Sequence, residues 1–281
     1  MISIYSSFFN VERMSFPWRD TLKNWLTFLD GRGEIVIAAN TSTDGTPDLV
    51  EKFFKEFHEN NFGNGTITKV IRTEIPYEDP AFDGKIKAAA LSACSQPFCT
   101  LLDCDERLVP QQRAQWFKLT RELEINLSID AIMVPVIDAF QDEKHYMCGG
   151  QSLVQKWYLH RNSSNITRGV VRWAYRENGS IDIGKSDSCE LIYKDSGELV
   201  RAAGLLAPLP HFMQVSSLSS GETPFVWHLG YLDKQQRLKQ DEFWQPVWQN
   251  RDKSDVKTAK KIDELEKIQY YPHRLLSWKT N

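Results

Sequence analysis

Short apolar runs alternate with amphipathic helical segments through the first half of this 281-residue chain. The helical segments repeat their large apolar side chains at spacings of three and four, which places those side chains on one helix face. Such alternation is typical of a mostly parallel, doubly wound α/β sheet flanked by helices. The first predicted strand opens at Ile2, the later strands span 33–39, 66–71, 98–102 and 131–137, and the helices span 17–29, 46–58, 83–94 and 110–123. Pro135 places the strand 131–137 near an edge of the sheet.

Polar segments follow three of these predicted strands. Asn10 follows the first strand, residues 40–44 follow the second, and residues 103–105 follow the strand 98–102. Ligands of open parallel sheets bind outside the carboxyl ends of the strands. The three polar segments are therefore expected to converge on one crevice.

Asp103 and Asp105 form an Asp-x-Asp motif directly after a buried strand. Side chains two residues apart on an extended backbone point the same way, so both carboxylates are expected to reach one cation. Mg²⁺ and Mn²⁺ accept carboxylate oxygens and leave positions open for phosphate oxygens. Cys104, between the two aspartates, is expected to point away from the cation and to pack in the core. Because many Asp pairs are solvated strand-end turns, the metal prediction depends on the motifs upstream.

Those motifs resemble the nucleotide-sugar half of family 2 glycosyltransferases with the GT-A fold. The resemblance covers residues 1–110 and rests on four elements in order: the opening strand, the turn Ser42-Thr43-Asp44-Gly45-Thr46, the helix that begins Asp83-Gly84-Lys85, and the Asp-x-Asp motif. It implies a metal-dependent, inverting hexosyltransferase that moves a sugar from a nucleotide-diphosphate sugar, with a UDP-sugar favoured, to an acceptor hydroxyl.

The resemblance also implies roles for individual residues. His228 lies in the aromatic segment 224–231, which resembles the late His element that closes on metal and diphosphate in many relatives. Family members usually carry an acidic pair where this chain has Ala39 and Asn40, so that an amide replaces the charged contact to the base. Lys85 or Lys87 would add positive charge near the phosphates. The implied nucleotide-binding residues are Ser6, Asn10, Asn40, Asp44, Lys85 and Asp103, and the implied ligands of Mn²⁺ or Mg²⁺ are Asp103, Asp105 and His228.

An inverting transfer needs a carboxylate that takes the proton of the acceptor hydroxyl. Six carboxylates qualify by their location in the acceptor half: Asp138, Asp142, Glu143, Asp182, Asp187 and Glu190. Family members usually keep this base beyond the strand that follows the metal motif, so Asp187 and Glu190 are favoured.

Three regions are expected along the chain. Residues 1–137 form the nucleotide-sugar-binding half, residues 138–232 form a more irregular acceptor-side half of the same domain, and residues 233–281 form a C-terminal helical extension. This extension is a candidate for contact with a partner or a membrane face. The acceptor itself, whether carbohydrate, lipid-linked or protein, is not specified by the sequence.

Composition limits the partners and the compartment. The net charge of −3 offers no electrostatic case for nucleic acid as the main partner. No stretch approaches the roughly 20 apolar residues that a membrane-spanning helix needs. The five cysteines show no metal-type or redox-type spacing, and their odd number, without a leader segment, predicts free thiols in a cytoplasmic protein.

Two other functions remain open. A nucleotidyltransferase shares the parallel sheet and the metal carboxylates, but it usually has a Gly-rich phosphate loop after the first strand, where this chain has Ser6-Ser7-Phe8-Phe9. A non-catalytic GT-A-like protein that binds nucleotide sugars or carbohydrate would keep the fold without the activity, and Ala39 keeps that hypothesis open.

Overall fold

The computed structural model describes residues 1–60, 65–77, 79, 82–140, 142–146, 155–168, 173–175, 181–183, 191–196, 200–204, 224–231 and 238–239. The helices are α1 (Trp18–Leu29), α2 (Thr46–Asn60), α3 (Phe82–Ser92) and α4 (Arg113–Ile125), and a 3₁₀ turn (Pro110–Gln112) precedes α4. The strands of the first half are β1 (Ile2–Phe8), β2 (Gly33–Asn40), β3 (Ile67–Thr73), β4 (Phe98–Leu101), β5 (Glu106–Leu108) and β6 (Ala131–Phe140). The later strands are β7 (Asp142–Tyr146), β8 (Gln155–Arg161), β9 (Ile166–Arg168), β10 (Trp173–Tyr175), β11 (Ile181–Ile183), β12 (Leu191–Tyr193), β13 (Ala202–Gly204) and β14 (Val226–Tyr231).

Within the described part of the chain, one large sheet organises the fold. Its strand order is β3-β2-β1-β4-β8-β6-β14-β5, and β7 and β13 also pair with β6. The first four strands in this order are parallel, and β14 is parallel to β6. The strands β8 and β5 are antiparallel to their neighbours. The predicted fold class is confirmed, since the sheet is mostly parallel and helices flank it.

Strand β2 shows why its sequence is an unbroken apolar run. Ile35 and Ile37 belong to the core shared with α1 and α2, whereas Val36 and Ala38 belong to the core shared with α3. Successive side chains of a strand point to opposite faces, so helices on both faces bury every residue of β2.

The predicted edge position of Pro135 is wrong. Strand β6 is interior, with β8 on one side and β14 on the other. Pro135 faces Gln155, the first residue of β8, and the pairing with β14 begins one residue later, at Val136. Strand β13 pairs with β6 only as far as Met133, so the proline lies in the gap between the pairing with β13 and the pairing with β14, and this position tolerates the missing amide donor.

Two predicted boundaries change near the metal motif. Strand β4 ends at Leu101, and Asp103 to Asp105 lie in a turn in which the amide of Glu106 donates to the carbonyl of Asp103 at 2.9 Å. The predicted helix 110–123 is divided into the 3₁₀ turn and α4, because Pro110 fits a first turn in which its missing N–H needs no partner.

The predicted C-terminal extension, 233–281, lies outside the described residues except for 238–239. Over the part of the chain that can be described, no helix combines the length and the apolar character required to cross a membrane.

A buried polar network ties β1 to the second half of the sheet. His160 Nδ1 lies 2.8 Å from the carbonyl of Arg161, so this nitrogen donates and Nε2 accepts from the hydroxyl of Tyr5 at 2.9 Å. Arg168 Nε in turn donates to the Tyr5 hydroxyl at 2.5 Å. Burial, together with the nearby Arg168 charge, lowers the pKa of His160 to about 3. His160 is therefore neutral in the folded protein.

We expect the stability of the protein to fall as pH drops below the ordinary His pKa of 6.5. The unfolded chain takes up a proton at His160 below pH 6.5, whereas the folded chain resists protonation until about pH 3. Stability is therefore lost as pH falls between these values, by about 2 kcal/mol from pH 7 to pH 5. Urea unfolding at both pH values should show this loss, and His160→Gln should remove it.

The titration of other groups with shifted pKa values falls outside the pH range of this test. Glu34 and Asp44 have lowered pKa values, because hydrogen bonds to each carboxylate outweigh its burial, and their contribution is lost only as pH falls below about 4.5. His228 has a raised pKa, so its contribution is complete below pH 6.5 and disappears only as pH rises toward 10. Equal stability losses in the native protein and in His160→Gln would contradict the assignment.

Candidate active site at the carboxyl edge of the sheet

The loops after β1 and β2 brace each other through Asn10 and Asp44. Asn10 adopts a left-handed backbone with φ of 49°, and its side-chain oxygen accepts from the amide and the hydroxyl of Thr43 at 3.0 and 3.1 Å. The Asp44 carboxylate accepts from the amides of Glu12 and Arg13 at 2.9 and 3.0 Å. Both side chains thus hold one loop against the other.

Asp44 also caps helix α2. One carboxylate oxygen accepts from the amide and hydroxyl of Thr46, at 3.0 and 2.6 Å, and from the Ser42 hydroxyl at 2.9 Å. Burial opposes the charged form, but these bonds together lower the pKa of Asp44. An acidic cap at a helix N-terminus is stabilising because it pairs with unsatisfied amides. Asp44, predicted to line the nucleoside pocket, therefore fixes the shape of the loop between β2 and α2.

Asn40, predicted to contact a base, makes all its amide bonds within the protein. Its oxygen accepts from the Thr73 hydroxyl and the Ile75 amide, both at 2.8 Å. Its nitrogen donates to the carbonyls of Ile75 and Thr41 at 3.0 and 3.4 Å. Asn40 thereby fixes the chain where it leaves β3. Ser6, another predicted nucleotide-binding residue, is buried within β1, and its hydroxyl has no hydrogen-bond partner among the described residues.

A pocket opens between the loops that follow β1, β2 and β3. Its volume is about 600 Å³, within the range of small-molecule sites. Phe9 and Tyr77 stack in its wall, with ring centroids 5.6 Å apart and planes 23° apart. The lining residues are Phe9, Asn40, Thr41, Ser42, Thr43, Glu74, Ile75, Pro76 and Tyr77. The sequence analysis missed Phe9, Glu74 and Tyr77, of which the first two directly follow the observed strands β1 and β3.

A polar chain connects β1, α3 and the turn after β4. Ser7 donates to Asp83 at 3.1 Å, and Lys87 Nζ lies 2.9 Å from Asp83 and 3.0 Å from Asp103. The Lys87 side chain is only 5% exposed, so its ammonium group is held next to these two carboxylates. Lys85, the predicted phosphate contact, instead pairs with Asp79 at 2.5 Å. Of the two lysines considered, the structure places Lys87 at the Asp-x-Asp turn.

The second aspartate of the motif faces His228. Pairing of β14 with β6 places His228 opposite Asp138, and their side chains meet at 2.5 Å between Nδ1 and Oδ1. Nε2 of His228 lies 3.5 Å from Asp105 Oδ2. Burial disfavours the imidazolium, but the two carboxylates outweigh burial and raise the pKa of His228 to about 10. The structure thus brings together Asp105 and His228, both predicted metal ligands, with Asp138, which the sequence analysis considered only as one of six possible bases.

Gly230 leaves room for this arrangement. A Cβ atom at Gly230 would lie 2.6 Å from both Cε1 and Nε2 of His228 and 3.5 Å from Asp105 Oδ2. Any larger residue there would therefore displace the imidazole from its place between the two carboxylates.

The prediction that Asp103 and Asp105 lie on an extended backbone and point the same way is wrong, because both residues lie in a turn. Asp103 contacts Lys87, whereas Asp105 contacts His228. Considering only the described residues, no three or more His, Cys, Asp or Glu side chains are grouped to hold a metal ion. Cys104 is buried between the aspartates, and burial raises its pKa, as a packing residue requires. The predicted base residues Asp187 and Glu190 lie outside the described residues.

Of three comparisons with known proteins, only the comparison with solved structures finds similar proteins. No protein-family model matches the chain, and no curated protein matches it. Among solved structures, S. aureus TarS 1-349 is 14% identical with a TM-score of 0.47, over 89% of this chain and 64% of TarS 1-349. The same protein in complex with UDP-GlcNAc is 17% identical with a TM-score of 0.39, over 57% and 45%. A putative glucose-1-phosphate thymidylyltransferase from Bacillus anthracis is 10% identical with a TM-score of 0.37, over 58% and 72%.

Proposed function

We propose that this chain is a glycosyltransferase of the GT-A type that uses a nucleotide-diphosphate sugar, with a UDP-sugar favoured. The observation that carries the proposal is the continuous row of features along the carboxyl ends of β3, β2, β1 and β4. An aromatic pocket of about 600 Å³ follows β1, β2 and β3, and the turn after β4 brings Asp103 to the buried Lys87 of α3. Adjacent strands are about 4.8 Å apart, so the row spans about 14 Å.

The pocket suits a nucleoside, and the β4 end suits a diphosphate. A base has two flat faces that stack on aromatic rings, and Phe9 and Tyr77 supply such a wall. Lys87 supplies a fixed positive charge beside the Asp-x-Asp turn. A fixed charge stabilises the negative charge that develops on a leaving diphosphate without reorganisation during the reaction. The bound donor would thus lie along the sheet edge from β3 to β4.

A divalent ion, Mn²⁺ or Mg²⁺, fits the donor chemistry of Asp105 and His228. His228 directs Nε2 toward Asp105, while its other nitrogen is held by Asp138, and its imidazolium would give up the Nε2 proton when the ion binds. Metal-ligating histidines commonly donate their second N–H to a carboxylate, which fixes the ring. Asp103 contacts Lys87 instead, so the proposed ligands are Asp105 and His228. A bound divalent ion would neutralise charge on the diphosphate.

The acceptor-side half of the chain would supply the base for the reaction. Asp187 or Glu190 would take the proton of an acceptor hydroxyl in an inverting reaction. The acceptor, whether carbohydrate, lipid-linked or protein, would approach from this half of the chain.

Thermal unfolding with a panel of nucleotide sugars tests this function. A ligand that binds only the folded state raises the melting temperature, by an amount that grows with its concentration above Kd. We expect a UDP-sugar to raise it with Mn²⁺ and much less without the ion. Melting temperatures that no UDP-, GDP-, ADP-, CDP- or TDP-sugar changes, with or without metal, would contradict the proposal.

Gly230→Ala should weaken metal-dependent nucleotide binding. The new methyl group would push the His228 imidazole away from Asp105, because their present contact leaves no space for it. Disturbing a metal ligand or its support typically costs 10–100-fold in affinity, and we expect about tenfold for UDP with Mn²⁺. Calorimetric titration measures this change, and the UDP affinity without metal is the control. Unchanged affinity with Mn²⁺ would show that His228 is not a ligand.

A further inference from the structure

Most polar side chains in the pocket wall are already hydrogen-bonded within the protein. The Asn40 amide makes bonds through both its oxygen and its nitrogen. Thr41 donates to the Thr73 carbonyl, Ser42 donates to Asp44, and Thr43 bonds to Asn10. These groups shape the pocket, but their hydrogen-bonding capacity is largely used.

Glu74 differs from these residues. It is the first residue after β3, it is exposed, and it lines the pocket. Across the described part of the chain, its carboxylate makes neither a hydrogen bond nor an ion pair. The nearby cation Arg72 is held away by helix α2, where it binds Asp48 at 2.6 Å and Glu51 at 2.7 and 2.9 Å.

We propose that Glu74 determines which base the pocket accepts, by receiving a hydrogen bond from a ring N–H of the base. The inference rests on the proposed nucleotide-sugar function and names its substrate class: nucleotides whose base carries a ring N–H on its pairing edge, as uracil and guanine do. In this chain Glu74, after β3, would then supply the acidic base contact that Ala39 and Asn40, the last residues of β2, do not supply.

The chemistry of the two partners sets the selectivity. A carboxylate at neutral pH only accepts hydrogen bonds, and uracil and guanine present a ring N–H to it. Cytosine and adenine present a ring nitrogen lone pair at the corresponding position, which the carboxylate repels. A site that bonds one polar group rejects an analogue lacking it, because a desolvated charge is left without its partner.

Calorimetric titration with UDP and CDP tests the selectivity most cleanly, because these ligands differ only at the pairing edge of the base. We expect the native protein to bind UDP about tenfold or more tightly than CDP. Glu74→Gln should bring the two affinities to within about threefold, because its amide both donates and accepts. GDP and ADP repeat the comparison for purines. Glu124→Gln, an exposed Glu on α4, is the matched control and should keep the native ratio.

The outcomes separate this inference from the function on which it rests. A UDP-to-CDP ratio that is unchanged in Glu74→Gln, while UDP still binds, would overturn the role of Glu74 and leave the nucleotide site intact. Equal binding of UDP and CDP by the native protein would overturn it as well. Absence of binding by all four nucleotides would overturn the proposed function and this inference together. A UDP-to-CDP affinity ratio that falls in Glu74→Gln but not in Glu124→Gln supports the proposal.

Discussion

Asp105→Asn is expected to lower the affinity for UDP in the presence of Mn²⁺ by about 10–100-fold. Asp105 is nearly buried, and its carboxylate faces His228 at 3.5 Å. The substitution keeps the shape of the side chain and removes its charge, which is the property that a divalent ion needs. The turn should persist, because the amide of Leu229 donates to the main-chain carbonyl of residue 105 at 2.8 Å.

Calorimetric titration of UDP with and without Mn²⁺ separates the metal contribution from the rest of binding. The native protein and Asp105→Asn should bind UDP equally without metal. The proposed base pocket lies at the ends of β1, β2 and β3, whereas Asp105 follows β4. Asp20→Asn, which removes an exposed carboxylate on α1, is the control and should bind like the native protein. If Asp105→Asn retains the full effect of Mn²⁺, the ion is held elsewhere.

Trp25→Ala is expected to lower the free energy of unfolding by about 3–5 kcal/mol. Trp25 is fully buried on α1, it packs against Phe8, and its indole N–H donates to the carbonyl of Glu106 at 2.8 Å. Truncation removes a large apolar surface, leaves a cavity and deprives a buried carbonyl of its donor. Urea denaturation measures the loss.

Trp25→Phe separates packing from hydrogen bonding. Phe keeps an aromatic ring in the core but cannot bond the Glu106 carbonyl, so we expect a smaller loss of about 1–3 kcal/mol. Because Glu106 pairs with His228 between β5 and β14, this substitution should also reduce metal-dependent UDP binding. A loss below about 1 kcal/mol for Trp25→Ala would show that α1 does not anchor β5.

The local pattern predicted the elements of the first half well, for a physical reason. Strand β2 is buried on both faces and appears in the sequence as a continuous apolar run. Helix α1 has one apolar face and appears as apolar residues at spacings of three and four. The interior position of Pro135 could not be read in this way. It depends on β8 and β14, which pair with β6 from distant parts of the chain.

The candidate site was predicted in part. The Asp-x-Asp motif was noticed because two carboxylates follow a buried strand, and His228 was noticed because its aromatic segment resembles the late His element of the family. The partners of each residue were not found: Lys87 for Asp103, and Asp138 for His228. Such partners come from different elements, and spacing along the chain does not encode their distance in space.

The roles of Asn40 and Glu74 illustrate the same limit. A polar residue after a strand is equally compatible with binding a ligand and with fixing a loop. Only the position of Thr73 and Ile75 shows that the Asn40 amide fixes the loop after β3. The same loop places Glu74 in the pocket wall without a partner in the described region.

Metal-dependent breakdown of a UDP-hexose tests the central claim most directly, because it requires the pocket, the diphosphate end and the ion together. We expect the native protein to release UDP from a UDP-hexose when Mn²⁺ is present, a chelator to stop the release, and Asp105→Asn to reduce it by at least tenfold. No UDP release above the protein-free rate, or equal release by Asp105→Asn, would contradict a metal-assisted nucleotide-sugar site at this edge of the sheet.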